Sequence, residues 1–312
     1  MLLTDKSSGG EVAPAVELVA GLVREQAPSF AGLPISVSNS AGSSNWVFRL
    51  GDTMAVRLPR SRGYSADLET EVAWLPRIAA ATTTPTPELV LRGEPSATFA
   101  LPWAIVTWLE GDRPGDLGPV AQQVLATDLA AFCTELHGVD VSGVSAGPQR
   151  WGYRCDDPVT EQTDAWAEKV ADGLADIFDP AAVREAWRRV RDVPARTTPL
   201  CLVHTDLSDE NLLTRPDGHL AGVIDFGSLG VGDRAADLLY AWNLFDAPAR
   251  EILRQATRAD EATWLRARAY AFVGPGLLTL LNYRDTMPGR AARLTRLVRS
   301  IAAEVGVDLA AP

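Results

Sequence analysis

The sequence has little of what builds covalent or metal-tied frameworks. Its 312 residues include only three cysteines, Cys133, Cys155 and Cys201. They are odd in number, far apart and without a C-x-x-C pair, which argues against both a disulfide scaffold and a zinc site. No apolar run is long enough to span a bilayer, and residues 1–10 lack the basic start and apolar core of a signal peptide, so a cytoplasmic protein is expected. There is no obvious internal repeat, no low-complexity linker and no G-x-x-x-x-G-K-[ST] run, which argues against a P-loop enzyme. Positive charge is also short: 29 Lys and Arg against 40 Asp and Glu leave a net charge of −11. Nucleic acid and anionic membranes are therefore not expected as partners, whereas a cationic small molecule would be attracted. The alternative is that the acidity serves solubility alone.

Hydrophobic residues make up 46% of the chain, enough for one or two sizeable cores. Chemistry-bearing residues concentrate between Leu202 and Trp242. Asp206 follows the apolar Leu202-Val203, Asn211 comes five residues after it, and Asp225 stands in Asp225-Phe226-Gly227. Leu212-Leu213 begins a strand, Pro216-Asp217-Gly218 supplies turn chemistry, and Leu220 to Ile224 returns as the second strand of a hairpin. Two carboxylates and a carboxamide suit phosphoryl transfer, which needs hard oxygen ligands for magnesium and a group to orient the attacking hydroxyl. Singly, each residue reads as a turn former or a cap; the ordered set points to a phosphotransferase site. Asp209 and Glu210 read as solvated loop charges, with Asp209 also a weaker site candidate.

This ordered set resembles the aminoglycoside phosphotransferase (antibiotic and choline kinase) family. There a His-x-Asp loop, an Asn five residues after the Asp, and a later Ile-Asp-Phe/Trp/Leu-Gly-like turn follow one another. The resemblance spans almost the whole chain, but its specific residues lie in 204–237. It implies an α+β, protein-kinase-like two-lobed fold. A small N-terminal antiparallel-sheet lobe over 1–110 would bind nucleotide, with a hinge near 106–111, and a larger, mainly helical lobe over 111–312 would carry catalysis and the acceptor. It also implies roles: Asp206 accepts the substrate's hydroxyl proton, Asn211 and Asp225 hold Mg²⁺, and His204 braces the loop. Gly232-Asp233 with Asp237 matches the segment whose carboxylate steadies that loop.

Apolar spacing predicts a helix from Glu11 to about Gln26, then strands at Ile35–Ser38, Asn45–Leu50 and Thr53–Leu58, with a hairpin turn at Gly51-Asp52. The small residues before the second strand, including Ser43, Ser44 and Asn45, stand where a kinase-like fold lays a loop over the nucleotide phosphates. A plain hairpin turn is the alternative. Arg57 occupies the third-strand position at which kinases usually carry a phosphate-holding Lys. Its carboxylate partner from the next helix is Glu71, with Glu69 as the alternative. After a strand at Glu88–Arg92, an extended run from Phe99 to Leu109 leads to the hinge, where Thr107 and Leu109 are the expected backbone contacts of the nucleotide base.

Downstream the chain reads as helical: Val120 to Leu136 and His137, a charged segment from Pro158 to Val193, then Ala247–Thr257, Glu261 to about Leu281, and Arg290–Val305. Gly274-Pro275-Gly276 should kink or interrupt the penultimate helix. Asp156, Asp157, Glu161 and Asp164 either attract an amine-bearing acceptor or form a solvated face. The resemblance implies transfer of the γ-phosphoryl group of ATP or GTP to a hydroxyl of an antibiotic, with an aminoglycoside first and a macrolide second. A metabolic hydroxyl kinase and a nucleotide-binding pseudokinase stand as alternatives.

Overall fold

The computed structural model describes residues 14–38, 44–115, 117–142 and 159–309. The chain divides into two compact units. The first takes in Met1–Gly111 and Ala221–Leu229, the second Asp112–Leu220 and Gly230–Pro312.

In the first unit, α1 (Val16–Gln26) buries Val19, Leu22 and Val23 along one stripe. It starts later than its apolar spacing suggests. Pro14 is disfavoured in a helix interior, and Ala15 is extended. Strands β1 (Ile35–Val37), β2 (Asn45–Leu50), β3 (Met54–Pro59), β4 (Leu89–Gly93) and β5 (Trp103–Thr107) form an antiparallel sheet in the order β1-β2-β3-β5-β4. Gly51, with φ +59°, turns β2 into β3, a conformation that costs a residue with a Cβ far more. The run expected over Phe99–Leu109 is strand only from Trp103 to Thr107. Gly93 is required opposite it, since a Cβ there would lie 2.1 Å from the Trp103 indole. Between β3 and β4, α2 (Arg62–Ala81) continues through Pro76, which has no N–H to give the carbonyl of Val72. Phe48, Leu50, Val56, Leu58, Trp103 and Ile105 pack with the α1 stripe as this unit's core.

The second unit is mostly helical. It begins with α3 (Pro119–His137), α4 (Glu161–Gly173) and α5 (Pro180–Val190). Then β6 (Cys201–Val203) and β7 (Leu212–Thr214) lead to a turn closed by the Gly218 N–H on the Arg215 carbonyl at 2.9 Å. The returning strand is β8 (Leu220–Val223), of which all but Leu220 belongs to the first unit. β9 (Gly230–Gly232) pairs antiparallel with β6, and α6 (Ala235–Leu238), α7 (Ala241–Leu244), α8 (Ala247–Ala256) and α9 (Glu261–Ala271) follow.

Gly274-Pro275-Gly276 does interrupt what comes next. Phe272–Leu278 is a π-helix, continued by α10 (Thr279–Tyr283) and then α11 (Pro288–Glu304). Pro275 withholds one donor, and the Thr279 hydroxyl supplies another to the Gly274 carbonyl at 3.2 Å. Gly276 is forced, because a Cβ there would stand 2.7 Å from the Ala271 carbonyl oxygen.

Among the described residues no helix is long and apolar enough to cross a membrane. Cys133 and Cys201 are buried free thiols. Burial pushes the Cys201 thiol up to about 12 and Cys133 well above its usual value, with the Asp237 charge adding to both. Thiolate is the reactive form. At pH 8 a thiol reagent should therefore label at most one of the three cysteines in the folded protein and all three in denaturant; rapid native labelling of two or more would contradict this burial.

Candidate active site

The His204–Asn211 loop leaves β6 in the second unit with its backbone in an unfavourable state. Thr205 is fully buried and has φ +69°, a left-handed conformation that a β-branched residue rarely adopts. What holds it is Asp237, whose carboxylate accepts the Thr205 N–H at 2.7 Å and the His204 N–H at 3.2 Å. The same Oδ2 lies 2.9 Å from Nε2 of His137, the last residue of α3. Three separate segments therefore meet on one buried side chain.

Asp206 is held in turn. Its N–H donates to His204 Nδ1 at 3.2 Å, its carbonyl accepts from Asn211 Nδ2 at 2.8 Å, and its Oδ1 accepts the Tyr240 O–H at 2.6 Å. Asn211 spends its amide N–H on the loop, which leaves its amide oxygen as the acceptor a cation would use. A pocket beside the loop is lined by Asp209, Tyr240, Asn243, Pro275, Thr279 and Arg293, among others. Asp209 is 3.2 Å from Arg293, and Glu210 is 3.7 Å from Arg290. Neither is a simply solvated loop charge.

The first unit holds a second charged cluster. Arg57, on β3, forks its guanidinium between Glu71 of α2 and Asp225, the latter at 3.1 Å. It is Glu71 that meets Arg57; Glu69 turns outward to Arg92 at 2.8 Å. Glu71 also accepts the Phe226 N–H at 3.4 Å, which ties α2 to the Asp225-Phe226-Gly227 turn. Asp225 is left-handed too, with φ +64°. Burial works against the Arg57 charge, but the Glu71 and Asp225 carboxylates more than offset it and hold its pKa above the usual value. Glu71 is also raised, chiefly by burial, with Arg57 opposing; its Oε2 is buried without a hydrogen-bond partner.

The remaining expected residues are scattered. Asn45 opens β2 with Ser44 just before it, the Asn45 Nδ2 lying 3.4 Å from the Ser44 hydroxyl, while Ser43 lies outside the described residues. Thr107 commits its N–H to the Glu88 carbonyl at 2.9 Å and its hydroxyl to the Glu88 N–H at 2.8 Å, so a nucleotide contact by Thr107 would fall to its carbonyl. Leu109 is half-buried against Gly222. Asp164 accepts from the Trp187 indole at 2.8 Å and from Arg191 at 2.7 Å, so its charge is already answered; Asp156 and Asp157 lie outside the described residues. Asp233 takes Arg266 through two bonds, at 2.5 and 3.1 Å. Sequence reasoning missed Tyr240 and the His137–Asp237 pair. Tyr240 had one signal, its place three residues after Asp237 at helical spacing.

The residues match Mg²⁺ chemistry. Asn211 and Asp225 each offer hard oxygen, and no group of three or more His, Cys, Asp or Glu placed to hold a metal occurs among the described residues. Magnesium is commonly bound through one or two protein oxygens plus water and substrate phosphate.

Residues 37–271 match the model of the phosphotransferase enzyme family. An aminoglycoside 3'-phosphotransferase from Escherichia coli is 31% identical over 155 residues, 46% of this chain, and the match spans only 53% of that relative's length. Among solved structures, the GDP and kanamycin complex of APH(2")-IIia superposes with a TM-score of 0.68 at 20% identity, over 92% of this chain and 98% of that one. The macrolide 2'-phosphotransferase of Brachybacterium faecium gives 0.61 at 18%, over 91% and 97%. At these identities the structural likeness is one of fold, and it establishes the kinase-like α+β architecture expected from the sequence.

Removing the Asp237 carboxylate would leave two buried backbone donors without acceptors, each worth roughly 1–3 kcal/mol. Asp237→Ala should therefore lower unfolding stability by about 3 kcal/mol in a urea titration. A loss below about 1 kcal/mol would mean that the loop does not depend on this brace.

Proposed function

The chain belongs to the phosphotransferase enzyme family, and from that premise we propose that it moves the γ-phosphoryl group of ATP or GTP to a hydroxyl of a small-molecule antibiotic, an aminoglycoside in the first reading. The observation that carries this is the Asp206 loop. A partly exposed carboxylate is fixed through its own N–H, its carbonyl and its side chain by His204, Asn211 and Tyr240. That is the preorganisation a group needs to orient or deprotonate an attacking hydroxyl. The aminoglycoside assignment draws on the names of the relatives.

In this reading the first unit binds the nucleotide and the second the acceptor. Asn211 and Asp225 hold magnesium, which screens the phosphate charge when bound. Arg57, positioned by Glu71, holds the phosphates, with Ser43, Ser44 and Asn45 against them and Thr107 and Leu109 at the base. Arg57 contacts Asp225, so taking up nucleotide and metal exchanges that contact for phosphate oxygen. A cytoplasmic location, where nucleoside triphosphates are made, goes with this chemistry.

One observation favours a second reading. In the pocket beside Tyr240, Arg293 and Arg290 already answer the Asp209 and Glu210 carboxylates, which leaves less there for a polycation and suits an acceptor with fewer amines, such as a macrolide or a metabolic alcohol.

The test offers the purified protein magnesium with ATP or GTP and a panel of aminoglycosides, macrolides and simple hydroxyl metabolites, and looks for phosphorylated product by mass spectrometry. Product should form with the unmodified chain and fall roughly 10²–10⁴-fold with Asp206→Asn. Equal turnover by the two would remove Asp206 from the mechanism. Nucleotide binding without product from any acceptor would point to a pseudokinase.

A further inference from the structure

Tyr240 stands where two features of the second unit meet. Its phenol O–H donates to Asp206 Oδ1 at 2.6 Å, and its side chain lines the pocket that also includes Asn243, Pro275 and Thr279. The residue is only 6% exposed. Its ring is therefore set by packing, and with it the direction of the hydroxyl. A phenol donating to an ionised carboxylate at this separation makes a charge-assisted bond, among the stronger hydrogen bonds in a protein. It also lies at the junction of α6 and α7, three residues beyond the Asp237 brace. The first three residues of the loop are thus gripped from one short stretch: Asp237 takes the N–H groups of His204 and Thr205, and Tyr240 takes the Asp206 side chain.

We propose that Tyr240 is the positioning residue of Asp206, fixing the rotation of its carboxylate toward the acceptor hydroxyl and, as a wall of the pocket, linking that rotation to what the pocket holds. The inference rests on Asp206 acting as the proton acceptor. In the step itself the acceptor oxygen bonds to the γ-phosphorus, the bond from that phosphorus to the β–γ bridging oxygen breaks, and the nucleoside diphosphate leaves with the bond's electron pair. The hydroxyl proton passes to the Asp206 carboxylate. Tyr240 keeps its own proton throughout and acts through Asp206, not on the substrate.

Tyr240→Phe keeps the ring and its packing and removes only the hydroxyl. The probe is release of inorganic phosphate from Mg·ATP or Mg·GTP with water as acceptor, which needs no identified antibiotic. Loss of the hydroxyl should lower kcat about tenfold while leaving the nucleotide KM within about twofold. In an Asp206→Asn background the same change should alter the rate less than about twofold, since two residues acting as one unit are not additive.

Three results would overturn the proposal. One is unchanged kcat in Tyr240→Phe, including the case where only the melting temperature falls. Another is an equal fold-loss with and without the Asp206 carboxylate, which would place the Tyr240 effect elsewhere. The third is full turnover by Asp206→Asn alone, which fails the reading of Asp206 itself and is told apart because it needs no change at Tyr240.

Discussion

The start of the second unit's candidate catalytic loop hangs on one buried carboxylate. Asp237 is 1% exposed, and a charge in that position is expensive unless its surroundings answer it. They answer it with two backbone N–H groups and the His137 ring. The compensation runs both ways. A left-handed Thr205 costs roughly 1–3 kcal/mol, and it persists because turning its N–H inward onto Asp237 is worth more than relaxing the backbone. The reward of that conformation is the placement of the next residue, Asp206, half-buried and within reach of the Tyr240 hydroxyl instead of within the strand direction set by β6.

The first unit solves a similar problem with opposite charges. Asp225 is also left-handed, and the turn is held from both sides: Glu71 takes the Phe226 N–H, and Arg57 takes the Asp225 carboxylate. Arg suits this task better than Lys, since one planar guanidinium can reach two carboxylates in different directions. In each unit, then, a candidate catalytic loop sits in a conformation it would not choose, and a buried carboxylate of another element overrules it. The two braces differ in kind. Asp237 acts mainly on backbone donors, so it fixes the path of the chain. The Arg57 cluster acts between side chains, so its geometry can change when a stronger anion such as a triphosphate arrives.

What could be read in the sequence followed from local pattern. β2 and β3 were legible because apolar alternation and a Gly-Asp turn agree, and an interruption at Gly274-Pro275-Gly276 because the proline removes a donor inside an apolar helix, though not that it would take the form of a π-helix. The start of α1 was misplaced because periodicity ran through Pro14, and the strand of Phe99–Leu109 was overdrawn because extended character does not by itself supply a ladder partner. Arg57, Glu71 and Asp225 were each legible as candidates, yet their convergence depends on contacts 14 and 168 residues apart along the chain, which no local pattern encodes. Tyr240 and His137 were missed for the same reason. Each looks like an ordinary helix-end residue until the Asp206 loop is brought against it.

The acidity of the chain shows how far composition is from local chemistry. A net charge of −11 predicts attraction for an amine, but near Asp206 the carboxylates are already engaged, Asp209 by Arg293 and Glu210 by Arg290. Those arginines belong to α11, in which arginines recur at positions 290, 293, 296 and 299, a helical spacing that gathers positive charge on one side of an otherwise acidic protein. At physiological salt the field of the whole molecule decays within about 8 Å, so it can speed the approach of a cation but cannot hold one. Retention depends on the paired groups at the pocket. An ammonium would have to displace a guanidinium to reach either carboxylate, exchanging one ion pair for another at little net gain. On the proposed function, discrimination among acceptors here would follow from shape and hydrogen bonding around Tyr240, Asn243 and Thr279, more than from the overall charge.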